Sequence, residues 1–141
     1  MSKRILVLLL LGVSSGAVAQ TGAFVVRLGT DTIAVERFQR TVDGQARVRI
    51  EGTVVRHTPL TNVVHYTITL NSDGSVSSYL QRITRADGSA MPNAPAPLTM
   101  RFTGDSVVRE IVQNGQPVTL RHAAPAGTLP TIPGSFSSMR C

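Results

Sequence analysis

"VVHYTITLNSDGSVSSYL", Val63 to Leu80, holds a histidine, two tyrosines, an aspartate and a run of hydroxyl side chains. That inventory suits a hydrolase, a ligand-binding face or a plain β-hairpin. The three histidines are His57, His65 and His122. A zinc site would show close spacing such as His-x-x-x-His, or cysteine partners, and neither occurs. Paired carboxylates can hydrolyse glycosides, one acting as acid and the other as base or nucleophile. The candidates Glu36, Glu51 and Glu110 each stand on a predicted strand with an arginine close by in sequence (Arg37, Arg49, Arg109). A cross-strand ion pair accounts for them more simply. The chain has no phosphate-binding glycine loop or dinucleotide fingerprint. These residues therefore predict no catalytic residue, no metal site and no cofactor.

The elements that would carry such residues are strands. Period-two alternation of apolar and polar side chains dominates, and helical periodicity is hard to find. In "RVRIEGTVV", Val48, Ile50 and Val54 oppose Arg47, Arg49, Glu51 and Thr53. In "VVHYTITL", Val64, Tyr66, Ile68 and Leu70 oppose His65, Thr67 and Thr69; "LTMRF" and "PVTLRH" repeat the pattern. One apolar and one wet face per strand marks an antiparallel sheet. Turns are expected at Asp43-Gly44, Asp73-Gly74, Asp87-Gly88, Gly104-Asp105 and Asn114-Gly115. The reading is an all-β or mostly β fold. Its antiparallel meander, about seven or eight strands, forms a curved sheet, half-barrel or small barrel. Arg56–Asn62 is a looser connection, and the proline-bearing Ala86–Pro97 is the longest loop. For the central hairpin, a three-residue loop Ser72-Asp73-Gly74 keeps apolar residues together by setting Leu70 opposite Val76. Carried along the strands, that register sets Tyr66 opposite Leu80, His65 opposite Gln81 and Thr67 opposite Tyr79.

The ends and the composition bound the rest. Lys3 and Arg4, the apolar run Ile5–Val13 and the small residues Ala17 and Ala19 make a secretory signal peptide with cleavage expected after Ala19. The run is too short to span a membrane, and no later run reaches that length. The expected organisation is a signal peptide at 1–19, a β domain at 20–122 and a Pro/Gly-rich tail or linker at 123–141. The mature chain is expected in the periplasm or outside the cell. Of 14 basic side chains, removing Lys3 and Arg4 leaves twelve arginines against eight acids, a net charge of +4. That excess is dispersed and aromatics are few, so nucleic acid is not an expected partner. Cys141, the only cysteine, has no intramolecular partner. It is an incidental thiol, the link of a dimer, or a sign that the chain continues.

Gly104-Asp105-Ser106 resembles the nucleophile block of GDS-type esterases, but Asp105 is the last aspartate in the chain, so the later Asp-x-x-His of those enzymes cannot follow. A hairpin turn explains the tripeptide. Over residues 22–122, the successive segments "AVERF", "VVHYTITLNSDGSV" and "PLTMRFTGDSVV" resemble uncharacterised secreted bacterial β-proteins. In architecture they are similar to the half-barrel periplasmic lipoprotein carriers of the LolA/LolB type. The resemblance implies a curved antiparallel sheet around an apolar cavity, helices lining it, and no catalysis. The expected function is an exported, non-enzymatic β-domain whose concave face binds a lipid or other apolar ligand. Tyr66, Ile68, Leu70, Leu80 and Phe102 are the candidate contacts. The alternatives are an interaction module that completes its sheet with another domain or protein through a sheet edge, and a secreted hydrolase.

Overall fold

The alternating segments pair strictly in chain order. The computed structural model describes residues 18–57, 61–92 and 95–130. Its strands are β1 (Val18–Leu28), β2 (Asp31–Val42), β3 (Val48–Arg56), β4 (Asn62–Leu70), β5 (Val76–Thr84), β6 (Leu98–Thr103), β7 (Ser106–Gln113) and β8 (Gln116–Ala123). They form one antiparallel meander, β1 to β8, that does not close into a barrel. Among the described residues there is no helix.

Cross-strand partners share a face, so the registers divide the side chains into two sets. The apolar face carries Ala34, Val54, Val64, Tyr66, Ile68 and Tyr79, which form the buried core cluster together with Val76. Leu98, Met100 and Phe102 of β6 pack against that cluster. The polar face carries Arg37, Gln39, Glu51, Thr53, His65, Thr67, Leu80 and Arg82. The join between β5 and β6 is short: only Ser78–Gln81 pair with Leu98–Arg101.

Turn chemistry sets the hairpins. Asn71 and Ser75 bracket the loop Ser72-Asp73-Gly74: Asn71 N–H donates to Ser75 O (2.8 Å) and Gly74 N–H to Asn71 O (3.0 Å). Gly74 has φ +83°. The Asp73 carboxylate accepts the Ser75 N–H and hydroxyl, and these bonds hold its pKa below the usual carboxylate value. The loop Ala86-Asp87-Gly88, again followed by serine, repeats the geometry. The loop expected at Asp43-Gly44 differs from the expectation. Its left-handed residue is Ala46, φ +58°, while Gly44 does not adopt a positive φ. Asp43 compensates by accepting the N–H groups of Gln45 and Arg47 and the Arg47 side chain. Gly104-Asp105 and Asn114-Gly115 form two-residue turns as expected, and Gly29-Thr30 adds another.

The central hairpin corrects the predicted register. Leu70 does face Val76, but a bulge follows, so Thr69 pairs with Ser78 and Ser77 is the extra residue. Beyond it Ile68 faces Tyr79, Tyr66 faces Gln81, His65 faces Arg82 and Thr67 faces Leu80. The inserted residue moves every later side chain of β5 by one position, which returns Tyr79 to the core.

Loop conformation and packing separate cleanly at two glycines. Neither Gly44 nor Gly74 has a neighbour within 4 Å of a built Cβ, so only φ distinguishes them. Gly74→Ala should cost roughly 1–2 kcal/mol for the left-handed backbone. Gly44→Ala should be neutral or stabilising by up to about 1 kcal/mol through the unfolded chain. Urea denaturation of the two variants measures the difference, and equal effects would contradict the loop geometry.

Candidate functional site

The registers bring four residues into one line across the apolar face. Gly22 of β1 pairs with Phe38 of β2, which pairs with Gly52 of β3, which pairs with Tyr66 of β4. Each ring lies on its neighbouring glycine. A Cβ built on Gly22 would stand 2.4 Å from Phe38 Cζ, and one on Gly52 would stand 2.2 Å from Tyr66 Cζ. No side chain larger than hydrogen fits either place. Phe38 also stacks on Phe24, with centroids 5.5 Å apart and planes at 15°. Passing over Gly52, the Tyr66 hydroxyl donates to Oε1 of Glu36, a carboxyl group 1% exposed. A little further along, the Tyr79 hydroxyl donates to Gln81 Oε1 at 2.7 Å. Burial pushes the pKa of Tyr79 well up, only partly opposed by the Arg56 charge.

Because the two side chains of that line, Phe38 and Tyr66, turn to the apolar face, the backbone of Gly22, Phe38, Gly52 and Tyr66 is what the other face meets there. Over it lies an open groove of about 960 Å³. Two transverse rows flank the backbone strip. One is Ala23–Arg37–Thr53–His65–Arg82, and the other is Thr21–Gln39–Glu51–Thr67–Leu80. Leu80, 46% exposed, supplies an apolar side chain, with Pro97 beside the same groove. His65 Nε2 contacts Thr84 Oγ1 at 3.2 Å. Arg49 Nη2 donates to Glu51 Oε1 at 2.7 Å, an interaction that lowers the Glu51 pKa and raises that of Arg49.

The sequence candidates for a ligand face separate accordingly. Tyr66 and Ile68 are buried in the core cluster, and Leu70 and Phe102 pack against it half-buried. Leu80 stands on the opposite face, because the Ser77 bulge sets it opposite Thr67 instead of Tyr66. The five residues do not form one surface. The candidates for catalysis are not assembled either. Glu36 and Glu51 project from opposite faces. Ser106 closes a turn, its hydroxyl donating to Thr103 O, while His122 lies on the face opposite it. Glu110 lies near Arg101 (3.5 Å). Among the described residues no group of three His, Cys, Asp or Glu could hold a metal. Gly22 and Gly52 offer no chemistry of their own. Their signal in the sequence is a glycine inside an alternating strand, which marks a close approach of other atoms.

Gly52→Ala should cost about 1–3 kcal/mol, because the Tyr66 ring must leave its place over β3. In a Tyr66→Ala background the same change should cost at least about 1 kcal/mol less. A double-mutant cycle by urea denaturation measures the coupling, and additive costs would contradict the contact.

No protein family, curated protein or solved structure matches this chain.

Proposed function

We propose that this chain is an exported, non-enzymatic β-sheet domain that binds a small apolar or amphipathic molecule in the groove of its polar face. The groove itself carries the reading: about 960 Å³, open, with Leu80 and Pro97 among hydroxyl and charged side chains. Ligand sites typically have about 300–1,000 Å³ and combine apolar surface with a few placed polar groups. The expected face, built on Tyr66 and Ile68, has its middle filled by the core cluster, which moves the proposed contacts to the other side. The N-terminal pattern supports export. A cut after Ala19 would leave Gln20 as the first residue, and Gln20 pairs with Arg40, so the rest of β1 keeps its partner.

A second reading, completion of the sheet by another strand, is favoured by one specific observation. β1 is a long edge strand with Phe24, Val25 and Leu28 exposed at 44%, 56% and 73%. Long apolar edges are templates for strand addition. The opposite edge, β8, is blunted by Pro117 and Arg121.

Nile red, an uncharged dye, should bind saturably with one site per monomer. Leu80→Glu should weaken it at least about tenfold, and Thr119→Glu, outside the groove, should leave it unchanged. Absence of saturable binding, or indifference to Leu80→Glu, would overturn the groove reading. Sedimentation of the same samples discriminates the second reading, which requires a dimer or larger species that Val25→Arg dissociates.

A further inference from the structure

Charge within the groove narrows the ligand. The row Ala23–Arg37–Thr53–His65–Arg82 places two arginines three strand spacings apart, roughly 14 Å between backbones, with Thr53 and His65 between them. Both arginines line the groove. The groove's one acid, Glu51, is engaged at 2.7 Å by Arg49, which lies outside it. Among the described residues the ion pairs are Arg47–Asp43, Arg49–Glu51 and Arg101–Glu110, and neither Arg37 nor Arg82 takes part in one. Two guanidinium groups thus face the groove with no carboxylate opposite them, over a floor of backbone, hydroxyl and imidazole. Leu80 occupies the neighbouring row, next to Thr67.

We infer that the groove takes an anionic amphiphile, its carboxylate or phosphate group held between Arg37 and Arg82 and its apolar body lying along Leu80 and Pro97. The inference rests on the groove being the binding site. Arginine suits this task because its planar fork donates two parallel hydrogen bonds to an oxyanion and keeps its charge at every relevant pH. Thr53 offers a hydroxyl donor between the two. His65 is steadied by Thr84, whose side chain is buried. An exposed site of this kind gains from charge without the desolvation cost of a buried ion pair. Its affinity therefore falls as salt rises.

The test is calorimetric titration of the full chain with dodecanoate, dodecyl phosphate and dodecanol, which share one apolar chain and differ in the head. Both anions should bind at least about tenfold more tightly than the alcohol. Preference for one of them identifies a carboxylate or a phosphate source. Arg37→Ala and Arg82→Ala should each weaken the anions about tenfold and leave dodecanol unchanged, while Arg121→Ala, outside the groove, should change nothing. Equal binding of all three ligands, or anion binding indifferent to both arginine variants, would overturn the inference while leaving the groove as a site. Absence of binding by any of the three would overturn the groove reading with it.

Discussion

The Tyr66 ring lying across Gly52 to reach Glu36 is the contact on which the rest of this sheet depends. It spans three strands, from β4 over β3 to β2. A carboxyl group 1% exposed loses its hydration, and a hydrogen-bond donor aimed at it offsets part of that cost. The donor can reach only because β3 presents hydrogen where every other residue presents a Cβ. Phe38 repeats the arrangement over Gly22 one strand pair away. Two aromatic side chains are thereby laid flat along the sheet, and the line Gly22–Phe38–Gly52–Tyr66 is closed on the apolar side.

On the opposite face, as in any pleated sheet, the backbone of that line stands between two rows of side chains, and here those rows are largely polar. The groove lies over that backbone strip. Its flanking rows carry arginine, threonine and histidine because the pleat sends the other half of each alternating strand there. The same pleat separates Glu36 from Glu51 and Ser106 from His122. Among the described residues the candidate hydrolase groups are not brought together.

Much of the architecture was legible in the sequence, because period-two alternation and turn residues are local signals. The all-β meander, the strands from Val48 to Leu80 and the three-residue loop ending at Gly74 all follow from them. The register beyond that loop was not legible. A bulge at Ser77 is decided by how Tyr79 and Ile68 pack in the core, and a run of serines shows no preference between the alternatives. Ala46 in the left-handed position was equally hidden, since Asp43-Gly44 is a stronger turn signal than Gln45-Ala46, and the Asp43 side chain reverses the outcome. Leu80 falls on the polar face, opposite Thr67, for the same reason of register. The groove could not be anticipated from candidate residues at all. Its two flanking rows are set by cross-strand register, and the part played by Gly22 and Gly52 depends on which rings lie opposite them across the sheet.

The placement of those rings can be observed directly by NMR of the native protein. A ring lying face-on over a glycine shifts the covered Hα far upfield and gives ring-to-Hα cross-peaks. The account predicts both effects for Gly52 with Tyr66 and for Gly22 with Phe38, and neither effect for Gly44. Glycine Hα shifts near random-coil values at positions 22 and 52, with no cross-peaks to the rings, would contradict it.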